Sequence, residues 1–302
     1  MPVQPKEQAM QIILHIGVHS TDEDRLLKGL LRNAEDVRKD GVAIPGPGRY
    51  RTLLSDTVNA LGDGTPAPEA REVLLDAIID DDPERIDRLV LSHENLLSVP
   101  KLALAGGRLY RKLEQRLLAM RRLFPGDDIK IYVGLRDFAT FLPAVYAATP
   151  HASFDDFLCG ADPMRLRWSE MIARIRTAVP SAPVTVWCNE DTPLIWGQLL
   201  REMAGIEANR KITGAFDLFA EIISPEGMTR FRAFLTENPG VNEAQKRRVM
   251  MAFLEKYALD EAIEEELDLP GWDGAYVDML TELYDEDVSQ IGRMPGVRLI
   301  SA

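Results

Sequence analysis

The amino-acid sequence predicts an α/β protein, with a parallel sheet of about five strands flanked by helices and a helical C-terminal extension. Two observations carry this prediction. Short apolar runs alternate with longer segments of helical periodicity up to about residue 205, and helical patterns dominate after that point. Strands that alternate with helices form right-handed crossover units, which place helices on both faces of the sheet.

The predicted strands are short and mostly rich in Val, Ile or Leu, as expected for a parallel sheet covered on both faces. They span residues 11–16, 42–44, 88–91, 129–135 and 184–187. Helical spacing of apolar residues marks the segments 25–39, 68–80, 107–123, 137–148, 163–178 and 193–203. Ligands of such sheets bind beyond the carboxyl ends of the strands. We therefore expect residues 15–24, 92–95, 136–138 and 188–192 to meet at one edge.

The remainder of the chain has a different character. Helical patterns cover residues 215–223, 225–238, 242–260 and 274–291, and residues 298–300 form the one strand candidate. We expect residues 1–205 to form the α/β core and residues 206–302 to form a helical extension packed on it. Residues 46–51 carry two glycines, a proline and two arginines and are predicted to form a surface loop.

Composition narrows the class of protein. Hydrophobic residues make up 46% of the chain, enough for a substantial core, but no stretch approaches the roughly 20 apolar residues of a membrane span. The N-terminus lacks a basic patch followed by an apolar run, so no signal peptide is expected. The two cysteines, Cys159 and Cys188, argue against a disulfide framework and against a cysteine zinc site. A cytoplasmic location fits best.

The net charge of −13 opposes non-specific nucleic-acid binding, which relies on clustered Lys and Arg. Acidity of this kind usually reflects solubility rather than a basic partner. The sequence names neither an acceptor substrate nor a protein partner. Amphipathic segments over 107–123 and 242–259 leave an oligomer open, although core packing explains them equally well.

The most informative segment joins the first strand to the first helix. An apolar strand runs into a short loop with one glycine, Gly17, and a helical pattern starts at Arg25. This layout points backbone N–H groups and the positive end of a helix at an anion. A phosphate cradle also needs a lysine and further glycines. Here the loop continues instead with Ser20, Thr21, Asp22, Glu23 and Asp24.

Several blocks, in order, resemble the bacterial sulfotransferase-like proteins of the P-loop class. Leu-His-Ile-Gly-Val-His at 14–19 resembles the end of their first strand and the start of their loop, up to the loop lysine. Residues 33–45, 91–96 and 133–146 resemble the segments around their second, third and fourth strands. Residues 284–291 resemble their closing Tyr-x-x-Asp helix. The resemblance touches most of the chain.

The resemblance implies 3′-phosphoadenosine 5′-phosphosulfate (PAPS) as the cofactor and transfer of its sulfuryl group to a hydroxyl or amine. The candidate cofactor-binding residues are then Gly17, Ser20, Thr21, Arg25 and Arg136. Of these, Arg136 matches the family arginine that grips the 3′-phosphate. The candidate acid–base residues are His19 in the loop and His93 and Glu94 after the third strand.

The chain departs from the family at the chemistry. Ser20 stands in place of the loop lysine, Asp22 in place of a glycine, and Glu23 and Asp24 in place of two threonines. Ala144 replaces a serine eight positions after Arg136. A carboxylate about 4 Å from a phosphosulfate costs about 1 kcal/mol in water and about 4 kcal/mol near a protein surface. The sequence therefore predicts a degraded PAPS site in a non-catalytic binding or scaffold protein.

The prediction of a degraded PAPS site comes with three further expectations about the site residues and with two alternative functions. Ser20 or Thr21 is expected to cap the first helix, with acidic residues favouring its dipole. Arg136 is expected to bind an anion or to pair with Asp22 or Asp24. No metal ligands are predicted, because His15 and His19, taken together with Asp22 and Asp24, match no standard ligand spacing. The alternatives are an active sulfotransferase and an α/β protein that binds a cation or cationic ligand through its carboxylates.

Overall fold

The computed structural model describes residues 9–207, 210–263, 269 and 271–302; the N-terminal residues considered for a signal peptide lie outside these ranges. Within them the chain forms an α/β fold with a six-stranded, all-parallel sheet of order β2-β3-β1-β4-β5-β6. The strands are β1 (Gln11–His15), β2 (Val42–Ala43), β3 (Arg88–Ser92), β4 (Asp128–Leu135), β5 (Val184–Cys188) and β6 (Val297–Ile300). The five predicted strands are confirmed, and the candidate at 298–300 supplies the sixth.

Helices flank the sheet and fill most of the rest of the described chain. They are α1 (Arg25–Leu31), α2 (Ala34–Arg38), α3 (Pro47–Leu61), α4 (Ala70–Ile78), α5 (Leu113–Leu123), α6 (Phe138–Ala147), α7 (Phe154–Leu158), α8 (Trp168–Ala178), α9 (Thr192–Ala204), α10 (Asp217–Ile222), α11 (Pro225–Glu237), α12 (Glu243–Tyr257), α13 (Asp260–Ile263) and α14 (Gly274–Ile291).

The single helix predicted over residues 25–39 is divided at Asn33. The buried Asn33 side chain donates to the carbonyls of Gly29, at 2.9 Å, and Thr213, at 3.1 Å, and it accepts from the Thr213 amide at 2.8 Å. An asparagine that bonds back to the preceding turn offers the backbone an alternative to a continuing helix. The division between α1 and α2 therefore serves a contact with the C-terminal third of the chain.

The surface loop predicted over residues 46–51 is wrong, because these residues begin α3. Pro47 occupies the first helical position, where its fixed φ and missing N–H suit a helix start. Tyr50, Leu54 and Val58 then recur every four residues and are buried in the core. Gly46, Pro47 and Gly48 at the start of α3 suggested a turn, because glycine and proline are also frequent in turns.

Successive residues of each strand point to opposite faces of the sheet, and each face has its own apolar core. Ile12 and Leu14 of β1 pack with α3, α5 and α8, whereas Ile13 packs with α1 and α9. A third, smaller core joins α10, α11 and α12 around Phe219 and Phe231. The predicted covering of both faces by helices is confirmed.

The end of the chain returns to the sheet. β6 pairs in parallel with β5, with Val297 opposite Val184. The buried Asp287 of α14 accepts a hydrogen bond from the amide of Ser169, at the start of α8, at 3.0 Å. The boundary at residue 205 stays a prediction, and the final segment contributes to the same sheet as the first. Across the described ranges, no helix combines the length and apolar character needed to cross a membrane.

Candidate functional site

The segments that follow the strands meet at one edge of the sheet, as the topology predicts. The amide of His93 donates to the carbonyl of His15 at 2.8 Å, which joins the ends of β3 and β1. The amide of Val18 donates to Gly134 of β4 at 2.8 Å. The amide of Asp137 donates to the Glu190 carboxylate at 3.0 Å, which joins the ends of β4 and β5.

The loop between β1 and α1 turns sharply. Gly17 has a φ of +97°, and a Cβ there would lie 3.3 Å from the amide nitrogen of His19. Ser20, Glu23 and Asp24 also have positive φ values, of 56°, 47° and 64°. That region favours glycine, which lacks the Cβ that clashes there. The loop therefore needs its one glycine for close packing and makes its later turns without any.

The N-terminus of α1 is closed by groups of the protein itself. A carboxylate oxygen of Asp22 accepts from the amide of Leu26 at 3.0 Å, and the carbonyl of Asp22 accepts from Arg25 at 2.7 Å. Thr21 instead donates its hydroxyl to the carbonyl of Val18 at 2.7 Å. The cap predicted at Ser20 or Thr21 is therefore wrong, because Asp22 takes the helix donor. A carboxylate at this position also interacts favourably with the helix dipole.

Asp24 is paired with Arg51, a residue of α3. The guanidinium binds the carboxylate through both Nη atoms, with Nη1 at 2.9 Å from Oδ2. Arg51 Nε also donates to the carbonyl of Ser92 at 2.9 Å. The hydrogen bond from Arg51 lowers the pKa of Asp24. The partner expected for this carboxylate was Arg136, and the structure supplies Arg51 from the segment predicted as a loop.

Arg136 is buried, and its guanidinium group donates to other groups of the protein. Its Nη1 donates to the carbonyl of Ser20, and its Nε donates to the hydroxyl of Thr140 at 2.9 Å. Its own carbonyl accepts from the indole of Trp168 at 2.8 Å. The predicted anion-binding arginine thus supports the backbone of the β1–α1 loop.

A cleft of about 450 Å³ lies beside this loop. Four of the five predicted cofactor-binding residues line it, namely Ser20, Thr21, Arg25 and Arg136, and Gly17 does not. Arg25 pairs with Glu221 of α10 at 2.6 Å, and Asp22 and Glu23 also line the cleft. Two arginines therefore face three carboxylates, so the described lining does not favour an anion.

His19, the predicted loop base, is buried and hydrogen-bonded on both ring nitrogens. Its Nε2 lies 3.1 Å from the Asn95 amide oxygen and 3.0 Å from the carbonyl of Ser98. Its Nδ1 lies 3.1 Å from the hydroxyl of Tyr110. A neutral ring with its proton on Nε2 satisfies all three contacts. Burial lowers the pKa of His19, so the neutral form is favoured.

His93 and Glu94 lie behind the loop, and neither they nor His19 line the cleft. His93 Nε2 lies 3.0 Å from the carbonyl of Arg51 and 2.8 Å from the hydroxyl of Ser55. Burial, together with the Arg51 charge, lowers the pKa of His93 to about 4. Burial and the nearby charges of Asp22 and Asp24 raise the pKa of Glu94. The three acid–base candidates thus lie outside the cleft lining, although Glu94 is next to Gly17, where a Cβ would lie 3.6 Å from Glu94 Cα.

Helix α14 makes contacts at the edge of the candidate site that the sequence did not predict. The Tyr284 hydroxyl donates to Glu190 at 3.0 Å, and Thr281 donates to Asp137 at 2.6 Å. The Glu190 carboxylate and the nearby Cys188 are held in a poorly solvated environment; burial raises the pKa of Glu190 and raises that of Cys188 to about 12. The helical pattern over residues 274–291 predicted this helix, and its Tyr-x-x-Asp spacing was part of the family resemblance, but neither assigned it these contacts.

Among the residues that the structure describes, no group of three His, Cys, Asp or Glu side chains is arranged to hold a metal ion. Comparison of the chain with protein-family models and with curated proteins finds no match.

The Arg51–Asp24 pair yields a stability prediction. Arg51→Met is expected to destabilise the fold by about 2 kcal/mol, because it leaves Asp24 without its guanidinium partner and removes one of the two side-chain donors to the Ser92 carbonyl, the other being the Tyr50 hydroxyl. Side-chain exposures of 20% for Arg51 and 37% for Asp24 keep the loss below that of a fully buried pair. Arg25→Met is the control, since the Arg25–Glu221 pair is exposed and is expected to contribute less than about 0.5 kcal/mol. Equal losses in urea denaturation would contradict this argument.

Proposed function

We propose that this chain is a sulfotransferase-like protein that does not transfer sulfuryl groups and acts by binding, as a scaffold or subunit. One observation carries the proposal: the Asp22 carboxylate accepts the amide hydrogen of Leu26 at the start of α1. In a phosphate-binding loop an oxygen of the ligand takes that kind of donor. Here the protein's own anion takes it, so an incoming phosphosulfate would meet a negative charge in its place.

The other groups of the loop support the same conclusion. The loop between β1 and α1 contains no lysine to stabilise a transferred group, and Arg136 is engaged with Ser20 and Thr140. The residues present therefore do not fit PAPS, and we derive no transfer step through it. A cytoplasmic location and a protein partner are part of the proposal. Two free cysteines, Cys159 and Cys188, support a reducing compartment.

The alternative, an active sulfotransferase, is favoured by the convergence of Ser20, Thr21, Arg25 and Arg136 on one cleft. The three predicted bases, His19, His93 and Glu94, do not line that cleft, which weighs against this alternative. The cation-binding alternative gains no support from the described carboxylates, since Asp22 and Asp24 are bonded to Leu26 and Arg51. The two remaining hypotheses differ in whether the adenosine nucleotide binds.

Thermal-shift titration with 3′-phosphoadenosine 5′-phosphate (PAP) separates the two hypotheses. We expect no stabilisation of the natural chain at micromolar PAP. The variant Ser20→Lys/Asp22→Gly/Glu23→Thr restores the family residues, removes two carboxylates and frees the Leu26 amide. It is expected to gain PAP binding, because each removed carboxylate had opposed the ligand by about 1 kcal/mol or more.

Glu35→Lys is the control for charge, because Glu35 is highly exposed and does not line the cleft. It is expected to leave the PAP response unchanged. Stabilisation of the natural chain by micromolar PAP bound in the cleft would overturn the proposal. It would then favour an active enzyme, to be tested next by sulfuryl transfer to hydroxyl and amine acceptors.

A further inference from the structure

A second cavity, of about 240 Å³, lies apart from the cleft, beside the start of α8. Four arginines line it together with two carboxylates: Arg108, Arg165, Arg167 and Arg174, with Asp162 and Glu170. An excess of arginine is notable in a chain whose net charge is −13. We call this cavity the arginine pocket.

Arg174 forms the buried wall of the arginine pocket and is fully bonded. Its Nε and Nη2 lie 2.6 and 2.9 Å from the two carboxylate oxygens of Glu114. The same guanidinium donates to the carbonyls of Leu109 and Tyr110. The hydrogen bonds from Arg174 lower the pKa of Glu114 to about 2, so this pair stays charged. The guanidinium group of Arg174 is therefore paired within the protein, and the Glu114 carboxylate is its partner.

The other three arginines are less well compensated. Within the described residues, Arg108 makes two ion pairs, both long, at 3.6 Å, with Glu114 and Glu170. Arg167 donates to the main-chain carbonyls of Met164 and Leu166, at 3.0 and 2.6 Å. Neither Arg167 nor the exposed Arg165 forms an ion pair with any carboxylate in the described part of the chain. The pocket is thus lined by two guanidinium groups that form no ion pair with the carboxylates of Asp162 and Glu170, which line it too.

We propose that the arginine pocket binds a phosphate group, carried by orthophosphate or by a small phosphate monoester. Guanidinium groups present planar pairs of N–H donors that match phosphate oxygens, and such charge-assisted bonds are among the strongest in proteins. The pocket volume lies below the range of about 300–1,000 Å³ that is usual for drug-sized ligands, which favours a small anion. The loops around it are tightly apposed, since a Cβ on Gly107 would lie 3.3 Å from the carbonyl of Cys159.

The test is calorimetric titration of the full chain with inorganic phosphate and with glycerol 3-phosphate, at constant ionic strength set with chloride. Arg165→Gln/Arg167→Gln is expected to weaken phosphate affinity about tenfold or more, because both uncompensated charges are lost. The matched control is Arg232→Gln/Arg248→Gln, which removes two exposed arginines from α11 and α12. The control is expected to keep the affinity of the natural chain.

Equal affinity in the two double variants, or no phosphate binding by the natural chain, would overturn the proposal. Similar affinity for both probes would identify the free ion as sufficient, and tighter binding of glycerol 3-phosphate would identify a monoester; both results support the site. Arg165→Gln alone alters an exposed side chain. It is expected to fold normally and to lose part of the affinity, so a folding defect in the double variant does not remove the test.

The arginine pocket is independent of the proposed function, but PAP also carries phosphates. The PAP titration is therefore repeated with Arg165→Gln/Arg167→Gln. Loss of a PAP response in that variant assigns the response to the arginine pocket, and its persistence assigns the response to the cleft. Failure of one proposal is thus distinguishable from failure of the other.

Discussion

Trp168→Ala is expected to destabilise the protein by about 4 kcal/mol, in the range found for aromatic side chains removed from well-packed cores. Trp168 is fully buried and stacks on Phe138, with ring centroids 4.5 Å apart. Its edge-to-face contact with Phe141 has a centroid distance of 5.0 Å. Its indole N–H also donates to the carbonyl of Arg136 at 2.8 Å, so truncation leaves a cavity beside the cleft and removes this hydrogen bond.

Urea or guanidinium denaturation, followed by circular dichroism, measures this loss. Trp168→Phe keeps an aromatic ring and removes the N–H donor, and about 1–2 kcal/mol of the loss is expected to remain. Trp272→Ala is the matched control, because the Trp272 indole also donates to a main-chain carbonyl, that of Ala139, at 2.7 Å. Trp272 is only partly buried, so we expect roughly half the effect of Trp168→Ala. Equal losses for Trp168→Ala and Trp272→Ala would contradict the role assigned to burial.

The parts of the fold that depend on local patterns were predictable from the sequence. The apolar runs of β1, β3, β4 and β5 are buried on both faces, and their composition alone predicts such strands. The start of α3 was not predictable in the same way, because Gly46, Pro47 and Gly48 are as typical of a turn as of a helix start. Only the burial of Tyr50 against the Ser92 backbone, with its hydroxyl 2.7 Å from that carbonyl, decides between them.

The candidate site depended on contacts between residues far apart in the chain. Asp24 and Arg51 are separated by 27 positions, and His19 and Tyr110 by 91. Sequence position placed three carboxylates near a ligand loop, and Coulomb's law then predicted repulsion of an anion. The structure adds the bonding of two of them, since Asp22 closes α1 and Asp24 binds Arg51. The ring of His19 is likewise bonded within the protein, to Asn95, Ser98 and Tyr110, although its place in the loop suggested a base.

Acidification is expected to destabilise the protein through His93 by up to about 3 kcal/mol between pH 7 and pH 4. The folded protein holds the pKa of His93 at about 4, against an ordinary value of 6.5. As the pH falls below about 6.5, the unfolded chain binds a proton at His93 and the folded protein does not, so stability decreases. The decrease is complete near pH 4, where the folded form also becomes protonated. Burial lowers the pKa of His15 and of His19, which adds to the effect in the same direction.

Chemical denaturation at several pH values measures this dependence for the natural chain and for His93→Gln. The variant is less stable at pH 7, because a buried side chain is replaced, but its loss of stability from pH 7 to pH 4 is expected to be smaller by about 3 kcal/mol. The neighbouring Glu94 acts in the opposite direction, since a carboxyl with a raised pKa favours folding at low pH. The variant comparison therefore isolates His93.

His151→Gln is the control, because His151 is partly exposed and its ring is hydrogen-bonded to the Lys101 carbonyl at 3.1 Å. If His93→Gln and His151→Gln lost stability equally with acid, the buried imidazole of His93 would not be the group that titrates.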